Sequence, residues 1–551
     1  EWRLGRLKAV PCALLLNRKR CGRYKARLVV LGNRWHPDKE NSVYASVVSQ
    51  VGNRAVMTHC AREGFSVTPF DIGNAFVRAS MGDIRVVVRL PESFRGQDKD
   101  DDGKRMLKKA LYGLPISPRL WAKTLARDLK TLGWEECKSE PGVYRKIVNG
   151  ETVAYITVYV DDCIVGAKTP EMCDQEVAAI NKMHPLTRIQ TRTDESGTQH
   201  FDMCGADIAY NEHNRTLKIT MSNYIDKIMK RFDMEKCVLR SVPGFPERNL
   251  YSKTAKPSDF KFKAAVGALQ WLATTARPDI AHSVNMLARA GANPVTKSME
   301  KCTRLVFRYL KGTRDIGLSY SPVQEAEFNQ LYKDVANHEF NQGMSADKRK
   351  TLDHPVHLFT DASFGVEFKT LRSITGVVVY LHGTPVAWRT KVQTIHTSST
   401  TESEWVAAAD GIEFSRCVYG LQNFLTGRKE TDPCEAPIWI DNRPAVVNAR
   451  KGLEGMEELP KKTRHIALRY ARVLEHGSNV WYVPTDLELA DGLTKSNNRQ
   501  ALLQIFERNP EYSPVDPDED ANEDLDFAEE TYFITSGYSR RCIDTFVAFL
   551  V

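Results

Sequence analysis

The stretch GETVAYITVYVDDCIVGAK, Gly150–Lys168, decides the fold that the N-terminal part of the chain is expected to adopt. Asn149 precedes it and completes an Asn-Gly pair, which favours a two-residue hairpin turn because both residues accept positive φ. β-branched and aromatic residues are frequent on both sides of this pair. The pattern therefore predicts two antiparallel strands, Val143–Val148 and Thr152–Val160, joined by a tight turn.

Two adjacent carboxylates, Asp161 and Asp162, interrupt the apolar run. They predict a second tight turn, after which Cys163–Ala167 returns as a third strand. An Asp-Asp pair is ordinary turn chemistry. A third carboxylate on a neighbouring strand would indicate a metal site, because paired magnesium ions need several oxygen ligands. Upstream, Phe65–Phe70 is expected to form a strand with Asp71 at its end.

The two segments together resemble the palm of a reverse transcriptase. In that family, an aspartate of the first motif and the aspartate pair of a Y-x-D-D turn hold two magnesium ions. The resemblance implies that Asp71, Asp161 and Asp162 are catalytic metal ligands, with Asp161 the stronger candidate of the pair for direct ligation. It also implies that Phe76, five residues after Asp71, blocks a 2′-hydroxyl, so that deoxynucleotides are selected.

Further segments resemble the enzymes of copia-type retrotransposons and occur in the order of that family. They are YKARLVVLGNRW (Tyr24–Trp35), LKKALYGLPISPRLW (Leu107–Trp121), FKAAVGALQWLATTARPDIAHSVNMLAR (Phe262–Arg289) and LVFRYLKGTRDIGLSY (Leu305–Tyr320). With later motifs the resemblance extends to about Ser496. One tetrapeptide is a weak signal, whereas this many ordered motifs indicate the Pol polyprotein of such an element.

Some residues of these motifs are candidates for binding the nucleotide or the template. Lys25 and Arg27 offer cations to a triphosphate, and the alternative is a solvated basic strand edge. Gly113 and Pro118 match the family's LYGLKQAPRQW motif and indicate that its backbone is kept. Ile116 replaces the glutamine of that motif and cannot supply amide hydrogen bonds. Either the pocket uses another group, or this copy is impaired as a polymerase.

Apolar residues recur at helical spacing in three segments, 118–133, 221–234 and 298–312. Gly133 is expected to cap the end of the first helix, and Ser298 to be the N-cap of the third. We interpret the apolar stripes as core-forming. By resemblance, the helices after the palm form a thumb-like and connecting region that grips the duplex.

A second set of carboxylates follows in residues 355–498, where a strand, a hairpin turning at His382-Gly383, a helix and further strands and helices alternate. This is an α/β pattern with a mixed sheet. It resembles a copia-type ribonuclease H. The resemblance implies that four carboxylates bind two magnesium ions: Asp361, Glu404, Asp441 and Asp491. The ions would direct a water molecule at an RNA phosphate. Glu404 is preferred to Glu402, because Glu404 precedes an aromatic residue and VAAA as the family's catalytic glutamate precedes YxAL. Glu402 is interpreted as a charge that favours a helix N-terminus.

The segment around His465 also echoes a family motif. A structural role at a helix start is preferred for His465, with a proton shuttle as the alternative. The neighbouring basic side chains are candidates for contacting the hybrid backbone: Lys461, Lys462, Arg464 and Arg469.

Composition agrees with a nucleic-acid partner. The net charge of +8 includes a net of −9 in residues 501–551, so residues 1–500 carry +17. The twelve cysteines are scattered without a C-x-x-C pair, which argues against a zinc site and for a reducing compartment. No apolar run approaches the roughly 18 residues of a membrane span, so no membrane partner is expected. No signal peptide opens the chain, and its first residues read like the middle of a polypeptide.

The resemblance implies an α+β polymerase with palm, fingers and thumb, followed by an α/β ribonuclease H-like domain with a mixed sheet. The expected organisation is fingers and palm in residues 1–245, a helical thumb or connection in 246–321, a polar linker in 322–354, the ribonuclease H-like domain in 355–498 and an acidic, largely disordered tail in 499–551. No segment resembles a zinc knuckle, an aspartic protease or an integrase.

The expected function is DNA synthesis on RNA and DNA templates, together with hydrolysis of RNA in RNA–DNA hybrids. Expected partners are an RNA template, a DNA primer or template, the hybrid and deoxynucleoside triphosphates, with two magnesium ions per site or manganese in their place. The expected location is a cytoplasmic virus-like particle, the nucleus or both. One alternative is a degenerate copy that binds nucleic acid without catalysis, motivated by Ile116 and the unfamiliar tail. Another is an intron-type or telomere-type reverse transcriptase, which the ribonuclease H pattern disfavours.

Overall fold

The computed structural model describes residues 8–18, 24–35, 43–94, 102–433, 435–451 and 467–506. The strands, numbered in chain order, are β1 Val10–Arg18, β2 Tyr24–Val30, β3 Ser66–Ile72, β4 Val87–Arg89, β5 Lys104–Met106, β6 Trp134–Glu136, β7 Val143–Val148, β8 Glu151–Tyr159, β9 Asp162–Ala167, β10 Leu186–Arg188, β11 Arg192–Thr193, β12 Gln199–Met203, β13 Ala206–Asn211, β14 Thr216–Thr220, β15 Leu318–Tyr320, β16 Val356–Ser363, β17 Ile374–Leu381, β18 Thr384–Val392, β19 Ile438–Ile440 and β20 Val480–Tyr482.

The helices are α1 Gln50–Glu63, α2 Ser117–Thr131, α3 Pro170–Met183, α4 Ser222–Arg231, α5 Phe262–Thr275, α6 Ala281–Ala290, α7 Lys297–Gly312, α8 Pro322–Val335, α9 Ala346–Arg349, α10 Thr400–Leu425, α11 Arg443–Arg450, α12 Ala467–Glu475 and α13 Arg499–Gln504. Among the described residues the strands form four sheets, and the largest is six-stranded with the order β10-β3-β9-β8-β7-β6. We call this sheet the palm sheet.

The palm sheet contains both predicted hairpins. Strands β7 and β8 pair antiparallel around Asn149 and Gly150, whose φ angles are +52° and +82°. Strands β8 and β9 pair so that Tyr159 lies opposite Asp162, with two residues between them at the turn. Both predicted hairpins are therefore confirmed. Local sequence signals were sufficient here, because a two-residue turn fixes the register of the two strands that it joins.

The predicted apolar stripes also lie in the core. In α2, Trp121, Leu125 and Leu129 are buried, and Gly133 follows the helix with a left-handed φ of +85°. The expected N-cap at Ser298 is wrong by two residues. Helix α7 is instead capped by Thr296, whose hydroxyl accepts a hydrogen bond from the backbone N–H of Met299.

Two smaller sheets adjoin the palm sheet. A four-stranded sheet with the order β2-β1-β4-β5 carries the fingers-like segment. A five-stranded antiparallel sheet with the order β11-β12-β13-β14-β15 closes when β15 returns from beyond α7 to pair with β14. That last pairing is long-range, and no local sequence signal predicted this sheet.

The C-terminal part contains a second five-stranded sheet, which we call the C-terminal sheet, with the order β18-β17-β16-β19-β20. Strands β16, β17 and β18 are antiparallel, whereas β16, β19 and β20 run parallel. The predicted hairpin turn at His382 and Gly383 joins β17 to β18, with φ angles of +52° and +72°. The mixed sheet expected from the alternation of strands and helices is therefore present.

The segment 322–354 differs from the irregular linker expected from its polar composition. It contains helix α8, in which Phe328, Tyr332 and Val335 are buried. These residues join Phe359 and Trp439 of the C-terminal sheet in one apolar cluster. Their spacing of four and three residues places them on one helical face, while the polar residues between them face away and give the segment its hydrophilic appearance.

A second difference concerns the beginning of the expected tail. Residues 499–504 form helix α13, and Leu502 and Ile505 are completely buried. Residues 507–551 lie outside the described residues. The acidic, disordered tail expected there stays a prediction.

One continuous apolar core joins the palm sheet to the C-terminal sheet. Palm residues such as Val67 and Ile164 belong to the same cluster as Leu358 and Val377 of the C-terminal sheet. The two sheets, with α1 and α10 between them, lie in one compact unit. The parts expected to act as separate domains are thus packed through a shared interior.

Candidate active sites

The palm carboxylates meet at one edge of the palm sheet. Asp71 lies directly opposite Asp162 in the antiparallel pairing of β3 with β9. The backbone carbonyl of Asp161 accepts a hydrogen bond of 2.8 Å from the N–H of Ile72, the residue after Asp71. The structure therefore brings the three predicted aspartates together, and backbone register alone accounts for their proximity.

The neighbouring carboxylates affect the pKa of Asp162. The pKa of Asp162 rises from its usual 3.8 to about 6, first because the carboxyl is partly buried and then because Asp161, Asp71 and Asp202 lie nearby. Asp202, on β12, was not singled out from the sequence because its position depends on the five-stranded sheet. A divalent cation would relieve this repulsion.

The predicted substrate residues Arg27 and Phe76 converge on a third side chain, Tyr112. The Arg27 guanidinium lies 5.7 Å from the centre of the Tyr112 ring, and Phe76 meets that ring edge to face at 5.0 Å. Burial, followed by the charge of Asp161, raises the pKa of the Tyr112 phenol. Tyr112 was part of the quoted LYGL motif but was given no role, because only the fold brings its ring close to Arg27, Phe76 and the charge of Asp161.

The backbone after Tyr112 requires glycine. Gly113 has a φ of +81°, and a Cβ atom there would lie 2.2 Å from the carbonyl oxygen of Val30. The N–H of Val30 in turn bonds to the carbonyl of Tyr112 at 2.8 Å. Gly113 thus lets the LYGL turn press against the end of β2, the strand that carries Arg27 and the backbone of Lys25. The side chain of Lys25 lies outside the described residues.

Pro118 and Ile116 have different surroundings. Pro118 stands in the first turn of α2 and lines a cavity of about 290 Å³ that also touches Val160 in the turn between β8 and β9. Ile116 is completely buried in the core of the palm. An isoleucine there contributes apolar packing, and its side chain does not present itself to a nucleotide as the comparison with the family motif suggested.

Three of the four predicted carboxylates of the C-terminal sheet form a tight cluster, which we call the C-terminal triad: Asp361, Glu404 and Asp441. Each offers an oxygen, and these oxygens lie within 4.8 Å of one another. Among the described residues this is the sole group of three or more potential ligands gathered so closely. The three palm aspartates, although adjacent, do not converge to that degree.

Strand register and helix packing build the C-terminal triad. Parallel strands β16 and β19 pair Leu358 with Ile438, so that three residues further on each strand reaches its aspartate, Asp361 and Asp441. Glu404 comes from the first turns of α10, which packs across β16, and accepts a hydrogen bond of 3.3 Å from the N–H of Ala362. The carboxyl ends of parallel strands are a common place for ligand sites.

All three carboxyl groups of the C-terminal triad have raised pKa values. Burial raises the pKa of Glu404 well above its usual value, and the charges of Asp361 and Asp441 raise it further. Burial also raises the pKa of Asp361 to about 6. The pKa of Asp441 is raised as well, mainly by burial. Glu404 is only 4% exposed, and its Oε2 atom has no partner among the described groups. A buried carboxylate oxygen without a partner fits a site that accepts a cation.

Asp491, the fourth predicted ligand, is buried beside the triad but does not belong to it. The Lys495 ammonium forms a short hydrogen bond to its carboxylate. Burial disfavours the Lys495 charge, but Asp361 and Asp491 outweigh this effect, so that the pKa of Lys495 is raised. Asp491 thus holds the Lys495 ammonium near the C-terminal triad.

Glu488 is a neighbouring acid that the sequence did not reveal. It is 1% exposed, and its Oε2 atom has no partner in the described structure. Burial raises its pKa well above the usual value, followed by the charges of Asp441 and Asp361. Its position two residues before Ala490 in an irregular segment gave no periodic signal; only its burial makes it conspicuous.

The remaining sequence interpretations concern a helix start and a basic segment. Glu402 accepts a hydrogen bond from the N–H of Ser398, and its own N–H donates to the Ser399 hydroxyl at 3.1 Å. It therefore serves the N-terminus of α10, as expected. Arg469 lies on α12 and bonds Thr394, whereas His465 and its basic neighbours Lys461, Lys462 and Arg464 lie outside the described residues.

Comparison with known proteins adds a family to this geometry. Residues 7–246 match the family model described as reverse transcriptase (RNA-dependent DNA polymerase). The chain is 26% identical to the retrovirus-related Pol polyprotein from transposon RE1 of Arabidopsis thaliana, over 87% of this chain and 30% of that protein. The resemblance to copia-type Pol polyproteins is confirmed. The match over residues 7–246 includes both segments from which the palm was predicted, Asp71 and the YVDD turn.

Other relatives give the same result. The Pol polyprotein from transposon TNT 1-94 of Nicotiana tabacum is 25% identical over 86% of this chain and 33% of its own length. The transposon Ty1-GR2 Gag-Pol polyprotein of Saccharomyces cerevisiae is 23% identical over 89% of this chain and 26% of its own length. The chain therefore spans about a third or less of the length of these relatives.

A solved structure of apo telomerase from Candida tropicalis, truncated from the C-terminal domain, overlaps 37% of this chain and 54% of its own. Its TM-score is 0.23 and its sequence identity 12%. Within the described residues, no helix is both long and apolar enough to cross a lipid bilayer.

Proposed function

We propose that the chain synthesises DNA on RNA and DNA templates at the palm site, which consists of Asp71, Asp161 and Asp162. The observation that carries this proposal is the cross-strand pairing of Asp71 with Asp162 beside Asp161, within the reverse transcriptase domain. Two magnesium ions, or manganese ions in their place, would be held by these carboxylates. When bound, they would supply positive charge to the triphosphate and the primer hydroxyl.

The other residues of the palm site would orient the nucleotide. Arg27, held near the Tyr112 ring, offers a planar cation to the triphosphate. Phe76 packs edge to face against Tyr112, which supports a role of Phe76 in selection against a 2′-hydroxyl. Because Gly113 fixes the position of Tyr112 against β2, this cluster is set by backbone contacts.

Primer extension tests the palm proposal. Wild type and Asp161→Asn are compared on an RNA template with a DNA primer and magnesium. We expect extension by the wild type and a loss to background in the variant, because the amide cannot replace an anionic ligand. Equal background signals from both proteins would refute the proposal.

We further propose that the C-terminal triad cleaves the RNA strand of RNA–DNA hybrids. The observation that carries it is the convergence of Asp361, Glu404 and Asp441 within 4.8 Å. The unpartnered Oε2 of buried Glu404 fits a cation better than a closed structural network. Two magnesium ions, when bound, would supply an activated water and stabilise the leaving oxygen. Asp491, with Lys495, would balance charge at the edge of the cluster.

Hybrid cleavage tests this second proposal independently. We expect Asp441→Asn to lose cleavage and to keep primer extension, and Asp161→Asn to show the reverse. Cleavage that persists in Asp441→Asn would refute the role of the triad. Loss of both activities in either variant would contradict two independent sites.

The proposed partners follow from these activities: an RNA template, a DNA primer or template, the RNA–DNA hybrid and deoxynucleoside triphosphates. A virus-like particle in the cytoplasm, or the nucleus, stays the predicted location. The rival of a degenerate copy without catalysis is not favoured, because Ile116, its main motive, is a buried core residue.

A further inference from the structure

The catalytic turn of the palm contains a backbone conformation that its own residue disfavours. Val160, directly before the aspartate pair, has a φ of +63°. It is one of the two residues that join Tyr159 to Asp162. A β-branched residue rarely adopts this left-handed region, because its side chain crowds the backbone. Such a conformation persists only where the surroundings enforce it.

The indole of Trp121 provides a specific contact to this strained residue. Its Nε1–H donates a hydrogen bond of 2.6 Å to the backbone carbonyl of Val160. Trp121 is 1% exposed and lies on the buried face of α2. The short bond joins helix α2 directly to the turn, and no side chain of the catalytic aspartates takes part in it.

Buried side chains of α2 and of the end of α3 fix the position of the Trp121 indole. The His184 ring meets Trp121 edge to face, with ring centres 5.2 Å apart and an angle of 86°. The Nε2 atom of His184 lies 3.0 Å from the carboxylate of Asp128, which is two turns further along α2. Both groups are buried. Trp121 is thus clamped between its own helix and the end of α3, so the direction of its N–H is fixed.

We infer that Trp121 is a positioning residue of the polymerase site. Its hydrogen bond keeps Val160 in the left-handed conformation and thereby sets the direction in which Asp161 and Asp162 leave the turn toward Asp71. The inference rests on the proposed polymerase function. It also gives a physical role to the tryptophan that ends the LYGLPISPRLW motif, a residue for which the sequence indicated only core packing.

The test compares two buried tryptophans of the same core. Trp134 is 3% exposed and belongs to the same apolar cluster, and its indole nitrogen has no hydrogen-bond partner in the described structure. Trp121→Phe and Trp134→Phe therefore remove the same atoms, but only the first removes a bond to the catalytic turn. Both variants are measured for primer extension and thermal stability, with magnesium and nucleotide varied separately.

We expect Trp121→Phe to lower kcat about tenfold, which corresponds to about 1.4 kcal/mol, and to raise the magnesium concentration for half-maximal rate several-fold. We expect KM for the nucleotide and the affinity for primer–template to stay unchanged, because the indole is only 1% exposed and lies on the buried face of α2. Trp134→Phe keeps the wild-type kcat and magnesium midpoint. Equal behaviour of the two variants would overturn the inference.

A rescue experiment keeps the inference testable even if Trp121→Phe loses stability. Glycine accepts positive φ without strain, so Val160→Gly no longer needs the indole to hold the turn. In that background, we expect Trp121→Phe to change kcat by no more than about twofold. A full tenfold loss there would assign the defect to packing and overturn the inference. If the wild type itself fails to exceed Asp161→Asn, the proposed function fails instead, and the two failures are distinguished.

Discussion

The same chemistry is proposed for the palm site and the C-terminal triad, but the chain assembles them differently. In the palm, neighbouring antiparallel strands place Asp71 and Asp162 opposite each other, and the carboxylates remain partly exposed. In the C-terminal sheet, Glu404 comes from a helix that packs across the strands, and it is almost completely buried. Local register is enough for the first site, whereas the second depends on tertiary packing.

This difference has an energetic consequence. The palm aspartates retain contact with solvent, which screens their repulsion. Glu404, Asp361 and the nearby Glu488 are buried, and burial is the largest cause of the raised pKa of each. In the absence of a cation, the C-terminal triad therefore lowers stability more than the palm site does. Such a loss of stability is common where function requires charged groups in a buried, apolar environment.

The largest expected effect sharpens this contrast. Glu404→Gln should lower hybrid cleavage by at least ~100-fold and leave primer extension intact. The same variant should be more stable than wild type at pH 8 without metal. The folded-state pKa of Glu404 lies above its usual 4.5, so wild type loses stability as pH rises from 4.5 toward that pKa, and glutamine removes this loss.

Cleavage assays and thermal denaturation at pH 5 and pH 8 check this prediction. Glu402→Gln is the matched control, since it lies on the same helix and is equally buried but serves the helix start. It should keep most of the cleavage and show no gain in stability at pH 8. A Glu404→Gln protein that is less stable than wild type at pH 8 would contradict the contrast between the sites.

The second prediction concerns the contact between the two regions. Arg54 of α1 is buried, bonds the carbonyls of Val386, Thr274 and Thr275 at 2.7–2.8 Å, and lies 4.1 Å from the centre of the Trp388 ring. Arg54→Met leaves these carbonyls without a donor. We expect a loss of about 3 kcal/mol in unfolding free energy, with extension and cleavage failing at the same denaturant concentration.

Denaturant unfolding, followed by both activities and by circular dichroism, tests this expectation. Arg188→Met is the control, because Arg188 forms an exposed ion pair with Asp174 and should cost less than about 0.5 kcal/mol. Separate midpoints for the two activities in Arg54→Met would show that the regions unfold independently. That result would break the picture of a shared interior.

The third prediction affects only the palm region. Gly113→Ala places a Cβ atom 2.2 Å from the Val30 carbonyl at a φ of +81°. We expect a loss of about 2 kcal/mol and slower extension, since Tyr112 and Arg27 shift with the turn. Hybrid cleavage at moderate temperature should stay at the wild-type level.

Gly150→Ala is the matched control for this change. Gly150 has nearly the same φ, +82°, but nothing lies within 4 Å of the added Cβ atom. It should cost about 1 kcal/mol and leave extension unchanged. Equal losses in the two variants, measured by urea unfolding, would attribute the effect to φ alone rather than to the contact with β2.

The smallest expected effect is a dependence on acid. Burial lowers the pKa of His282 from 6.5 to about 4, and both ring nitrogens lack a partner among the described groups. The unfolded state therefore binds a proton below pH 6.5 that the folded state refuses. Stability is fully present above that pH and should fall by about 1.4 kcal/mol for each unit below it, until about pH 4.

His282→Leu should reduce this acid dependence by its own share when urea unfolding is compared at pH 7.5 and pH 5.5. The side chain of His213 is 81% exposed, and His213→Leu should leave the dependence unchanged. An identical slope in His282→Leu and wild type would contradict the neutral, buried state of His282. Because the two regions share a core, both activities should decline together in acid.

The sequence was informative where the signal was local. Asn149-Gly150 and the YVDD turn predicted the palm hairpins, and the stripe through Trp121 and Leu125 predicted α2, because turn chemistry and helical periodicity act over a few residues. The C-terminal sheet with Asp361 and Glu404 followed from ordered motifs. These are the parts of the fold in which each short segment determines its own structure.

The remainder depends on contacts between distant segments. The pairing of β14 with β15 spans about a hundred residues and left no local pattern. Helix α8 was hidden because its buried face, with Phe328 and Tyr332, is narrow. The surroundings of Tyr112 and Glu488 exist only in the assembled fold. The burial of Ile116 was not evident either, because a motif position does not specify which way a side chain points.

The continuous core between the palm sheet and the C-terminal sheet also shapes how such a sequence can decay. Under the proposed function, a substitution in the shared interior should remove DNA synthesis and hybrid cleavage at the same time, whereas one at either set of carboxylates should remove a single activity. Copies of the element that have lost only one function should therefore carry their lesions at the catalytic edges. Lesions in the interior should be found in copies that have lost both.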